Sequence, residues 1–82
     1  MSWCINYEVE FADCIEWDDD KVRESLYYTV KYLYLRDLEK PRVILCMYSQ
    51  TSVKAVLDIL KTLYRTDMRY RFYDTEEWIA FT

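Results

Sequence analysis

Residues 3–11 alternate without a break: Trp3, Ile5, Tyr7, Val9 and Phe11 fall on one side, Cys4, Asn6, Glu8 and Glu10 on the other. A period of two belongs to a strand with one buried and one solvated face. Residues 12–18 (ADCIEWD) hold no sustained period and read as a connection, in which Cys14, Ile15 and Trp17 could add a short strand. From Val22 the period changes. Val22, Leu26, Val30 and Leu33, with Thr29, recur at helical spacing. Asp18, Asp19 and Asp20 stand just before them, where a helix needs acceptors for its first N–H groups and negative charge suits its dipole. These signals predict a helix over about 19–38, ended by Pro41, because the residue before a proline avoids helical backbone.

Residues 43–48 (VILCMY) are apolar throughout, as in a central strand covered on both faces or nearly so. Ser49, Thr51 and Ser52 are candidate caps for a second helix. Along that helix Val53, Val56, Leu57, Leu60, Leu63 and Tyr64 make an apolar stripe, with Lys54, Asp58, Lys61 and Arg65 opposite. Met68, Tyr70 and Phe72 then alternate with Arg69, Arg71 and Tyr73. Residues 74–77 read as a turn and 78–81 as a last strand, which closes a terminal hairpin.

The predicted order is β-α-β-α-β-β: a single small α/β domain over 1–82, with a four-stranded mixed sheet and two helices mainly on one face. Strand order is pulled two ways. The acidic face of the first strand (Glu8, Glu10) and the basic face of the third (Arg69, Arg71) favour pairing those two strands. Two right-handed crossovers with both helices on one face would instead place the second strand between them.

Composition narrows the chemistry. The chain has 82 residues, 52% of them apolar and 18% aromatic, enough for one domain with a modest core and too apolar for a disordered chain. It contains no glycine, so no loop of the GxxxxGKS/T or GxGxxG kind can bring bare backbone up to a phosphate. It contains no histidine either, which removes the commonest general base and metal ligand and any histidine-activated nucleophile. Cys4, Cys14 and Cys46 form no CxxC, and pairs such as Asp13 with Glu16 are too commonly spaced to specify Mg²⁺. No metal, cofactor or enzymatic activity is implied. With no secretory leader and no apolar run near the ~18 residues of a membrane span, the expectation is a cytoplasmic protein with reduced thiols. Cys46 is then an inert thiol in the core.

Charge is unevenly distributed. Residues 1–20 hold Glu8, Glu10, Asp13, Glu16, Asp18, Asp19 and Asp20 and no basic residue, a charge of -7, whereas the remaining 62 residues carry +3. Like charges crowded together repel, so such a segment is a candidate for docking on a basic partner. Tyr27, Tyr28, Tyr32 and Tyr34 are the second feature. On one helix, with Val22, Leu26, Val30 and Leu33 already facing inward, four tyrosines cannot all enter the core. Tyrosine is enriched in interfaces, and this face could serve a partner or a homo-oligomer. The third feature is Arg65, Arg69 and Arg71 among aromatic residues, a combination that can hold single-stranded nucleic acid. Three arginines are a small footprint on a protein of net charge -4, and their alternation with Tyr70 and Phe72 points to pairing within the sheet.

No motif here is specific to a family. The expected function is that of a small non-enzymatic interaction module, an inhibitor or adaptor that binds a larger, nucleic-acid-handling protein through its acidic segment and aromatic helix face. Size and composition alone are those of accessory proteins of phage and mobile elements, an analogy rather than a derivation. The alternative is direct nucleic-acid binding by the C-terminal hairpin.

Overall fold

A computed structural model describes residues 4–26, 30–35, 39–48, 53–73 and 75–81. Its elements are β1 (Cys4–Phe11), α1 (Asp19–Ser25), β2 (Lys31–Leu35), β3 (Arg42–Tyr48), α2 (Val53–Tyr64), β4 (Met68–Phe72) and β5 (Ile79–Phe81). The five strands form one sheet in the order β2-β3-β1-β4-β5, and every neighbouring pair is antiparallel. The expected four-stranded mixed sheet is therefore corrected to a five-stranded antiparallel one.

The difference arises in the segment predicted as one long helix. α1 ends at Ser25, and residues 31–35 are a strand. The sequence VKYLYL supports two periods at once. Val30 and Leu33 extend the helical stripe of Val22 and Leu26, while Val30, Tyr32 and Tyr34 alternate at period two. Tyrosine and valine favour the pleated surface, and the edge of β3 away from β1 is where this strand pairs. Leu33, expected to face inward, is 59% exposed.

The extra strand also resolves the conflict over order. β2 runs antiparallel to β3, which runs antiparallel to β1, so β1 and β2 are parallel with β3 between them. By the same logic β3 and β4 are parallel with β1 between them. These are two interleaved split β-α-β units, the ferredoxin-like topology, with β5 added beside β4. The acidic strand β1 does pair with the basic strand β4, as charge favoured.

Register assigns the two faces. Val9 lies opposite Val43 and Tyr70, Tyr7 opposite Leu45, and Phe11 opposite Met68. These residues share one face, and Val9, Phe11, Val43, Leu45, Met68 and Tyr70 form a single buried cluster with Val22 and Leu26 of the α1 region and Val56, Leu57 and Leu60 of α2. At roughly 25 cal/mol per Å² of apolar surface, this layer is the main stabilising contribution. The other face carries Glu8, Glu10, Leu33, Leu35, Arg42, Ile44, Cys46, Arg69 and Arg71, and neither described helix packs on it.

β3 is thus covered fully on one face only: Val43, Leu45 and Met47 are buried, whereas Ile44 and Cys46 are half-buried. Cys46 stands on the open face and is disulfide-bonded, which replaces the expectation of a reduced, inert core thiol. Cys14 is a free, exposed thiol. Neither described helix is long and apolar enough to cross a membrane. Tyr27 and Tyr28, the candidate caps Ser49, Thr51 and Ser52, and Asp74 of the predicted turn lie outside the described residues.

Candidate functional site

The sequence candidates separate into two places. Glu8 and Glu10 were expected on a wet acidic face, but both are buried. Register places Arg71 directly beside Glu8, and Arg69 and Arg42 on either side of Glu10. Arg42 spans both carboxylates, donating from Nη1 to Glu8 at 2.8 Å and from Nε to Glu10 at 2.9 Å. Arg69 holds the other oxygen of Glu10 through Nη2 at 2.7 Å, and Arg71 holds Glu8 through Nη2 at 3.0 Å. Three guanidinium groups thus answer two carboxylates, and the acidity of β1 is neutralised inside the fold.

Trp78, just before β5, covers this network. Its ring centre lies 4.4 Å from the guanidinium carbons of both Arg69 and Arg71, and 5.8 Å from that of Arg42. A cation over an indole face gains about 0.5–2 kcal/mol, more as water is excluded. Sequence reading assigned no role to Trp78 or Arg42. The signal for Arg42 is its position opposite Glu10, which can be read only once β1 and β3 are known to pair.

The second place is the segment after β1. Asp18 caps α1, its carboxylate accepting from the N–H groups of Asp20 at 3.0 Å and Lys21 at 3.2 Å. The Asp18 N–H itself donates to the Tyr64 hydroxyl at 3.0 Å, which ties the start of α1 to the end of α2. Asp19 accepts from the Trp17 indole at 2.8 Å and from the Tyr32 hydroxyl at 3.1 Å. Asp13 accepts from the Thr66 hydroxyl at 3.1 Å. Asp13, Glu16, Asp18, Asp19 and Asp20 are all exposed.

Trp17 organises the aromatic residues of this end. It stacks on Tyr34 at 4.6 Å and on Tyr64 at 5.6 Å, and meets Tyr32 and Phe11 edge-on at 5.3 and 6.3 Å. Tyr32 and Tyr34 therefore belong to the strand β2 and to the packing around Trp17, not to an exposed helix face. Partial burial, with its hydrogen bond to Asp19 adding to the effect, raises the Tyr32 pKa above the ordinary tyrosine range. Burial likewise raises that of Tyr7, with the neighbouring Tyr70 contributing. Trp17, Tyr64 and Leu63 floor an open depression of about 500 Å³ whose rim is Glu16, Asp18, Asp19, Asp20 and Lys21. An aromatic floor under a carboxylate rim suits cationic side chains of a partner.

Arg65 stands apart from Arg69 and Arg71. It follows the last residue of α2 with φ of 51°, exposed, and its N–H closes on the Lys61 carbonyl at 2.7 Å. Helices commonly end on a glycine in this left-handed conformation, and a chain without glycine uses arginine. Its position is explained by helix termination.

Comparison of the chain with protein-family models, with curated proteins and with solved structures finds no match.

Proposed function

We propose that the protein is a small non-enzymatic interaction module, an inhibitor or adaptor that docks the acidic segment 13–20 and the aromatic floor of Trp17 and Tyr64 onto a basic surface of a larger protein. One observation carries this reading. Of the seven acidic residues in the first twenty, Glu8 and Glu10 are buried among arginines, while the five at 13–20 are exposed, four of them (Glu16, Asp18, Asp19 and Asp20) together on one rim. Asp13, Asp18 and Asp19 have structural partners, but capping one short helix does not require four carboxylates on one rim. A segment of this charge accelerates encounter with a positive surface and discriminates against negative ones. The hairpin arginines give the nucleic-acid alternative no comparable support, because Arg69 and Arg71 are engaged by Glu10, Glu8 and Trp78.

The test is charge reversal where the fold is least involved. Glu16→Lys with Asp20→Lys keeps the Asp18 cap. Wild-type protein should retain one stoichiometric basic protein from nuclease-treated extract. The purified pair should lose at least about tenfold in affinity in the double variant, with a flatter dependence on salt. Unchanged affinity and salt slope would overturn the reading. Recovery of nucleic acid alone, abolished by Arg69→Ala with Arg71→Ala, would move the function to the hairpin.

A further inference from the structure

The sheet has two edges, β2 and β5. β5 is three residues long, and the exposed Glu76 and Glu77 stand before it. Acidic residues and short length are common means of keeping an edge from pairing. Among the described residues β2 has no such protection. It is five residues long, pairs with β3 in an unbroken register, and carries one charge, Lys31, at its end. It contains no proline, and its middle residue Leu33 is 59% exposed. A strand at the end of a sheet has one row of N–H and C=O groups outside the ladder, and here that edge carries an exposed apolar side chain.

The geometry points to a second copy of this chain as the occupant: β2 pairs antiparallel with β2 of a twin molecule, about a two-fold axis through Leu33. The sequence KYLYL is self-complementary in that register. Leu33 opposes Leu33, Tyr32 opposes Tyr34, and Lys31 opposes Leu35. The two lysines fall at opposite ends of the pair, so no like charges meet. Directly opposed aromatic and aliphatic residues are the pairs that stabilise antiparallel strands. Residues of the same parity face each other, so both copies keep their helices on the same side of a continuous sheet. On the open side, Leu33 lies beside Ile44 of β3. Pairing joins these into one apolar strip across the axis, with Ile44 at each end. A two-fold contact closes after two copies, because each has a single β2 edge.

The self-opposed position of Leu33 gives a direct test. Leu33→Asp and Leu33→Lys each place two like charges face to face in the dimer, yet each alters only an exposed side chain of the monomer. Sedimentation equilibrium from micromolar to sub-millimolar concentration should show wild-type mass rising to that of a dimer. Each variant should stay monomeric with an unchanged circular-dichroism spectrum, its dissociation constant raised at least about tenfold. An equimolar mixture of the two variants should recover the dimer. Independently of any variant, the amides of 31–35 in wild-type protein should gain protection from hydrogen exchange as concentration rises. A wild-type monomer throughout this range would overturn the proposal. So would a dimer insensitive to Leu33→Asp, or a mixture that fails to associate while wild type does.

Discussion

Arg65 shows what the absence of glycine does to a single residue. The α2 terminus needs a left-handed residue, and for a side chain with a Cβ that conformation carries a penalty of roughly 1–2 kcal/mol. Arg65→Gly removes this strain and returns part of the gain as unfolded-chain entropy, so a net stabilisation of about 0.5–1 kcal/mol is expected. Calorimetry should register a rise of a few degrees in Tm, since about 1 kcal/mol moves a domain of this size by roughly 4–8 °C. A lower Tm would mean that the arginine side chain contributes more than its backbone loses. Tyr32 offers a second single-residue test. Its pKa is raised in the folded state, mainly by burial and then by the Asp19 hydrogen bond. A raised pKa stabilises the fold fully below the unfolded value of about 10 and ceases to do so as pH climbs through the folded value. Tyr32→Phe should therefore cost about 1 kcal/mol at neutral pH, through the lost hydrogen bond, and make the decline above pH ~10 shallower. Parallel alkaline denaturation profiles for the two proteins would contradict this assignment.

Among the elements, those with one unambiguous period were readable. β1, α2 and the β4–β5 hairpin each follow a single pattern and form where it places them. The 19–38 segment was not readable because its apolar residues satisfy both periods, with no glycine or proline between Asp20 and Leu35 to mark the change. Pairing with the outer edge of β3 decides in favour of a strand, and that edge is a property of the sheet. The network on the open face was half readable. Opposite charges paired β1 with β4, but Arg42 and Trp78 depended on register and on the hairpin's return. The unequal burial of its members leads to an ordering. Glu10 is 4% exposed and serves two arginines, whereas Arg69 is 46% exposed and serves one carboxylate. Removing one partner of a buried ion pair costs about 3–5 kcal/mol, and exposed pairs far less. Since these arginines keep contact with water, Glu10→Gln should cost about 1–3 kcal/mol and Arg69→Ala less than Glu10→Gln. Urea unfolding of both variants checks the order, and its reversal would place the stabilisation in the Arg69–Trp78 stack instead of in Glu10.

At the scale of the whole molecule, charge is segregated. Buried acids sit beneath arginines on the sheet's open face, while the acids at 16–20 gather on the rim near Trp17. If these serve a partner, the isolated protein should carry unrelieved repulsion there. Glu16 is the residue on which to test this, since it is exposed and precedes the Asp18 cap. Glu16→Lys should then stabilise the isolated protein by up to about 0.5 kcal/mol at low salt, near the upper limit for a surface substitution. The gain should shrink toward zero at 1 M salt, where the screening length falls from ~10 Å at 0.1 M to ~3 Å. Thermal melts at the two salt concentrations separate the possibilities. A salt-sensitive gain means that the acidic rim is maintained against the stability of the fold, which is the physical premise of a docking surface. A loss at low salt means that Glu16 serves the fold itself, and the charge of 13–20 would then require no partner to explain it.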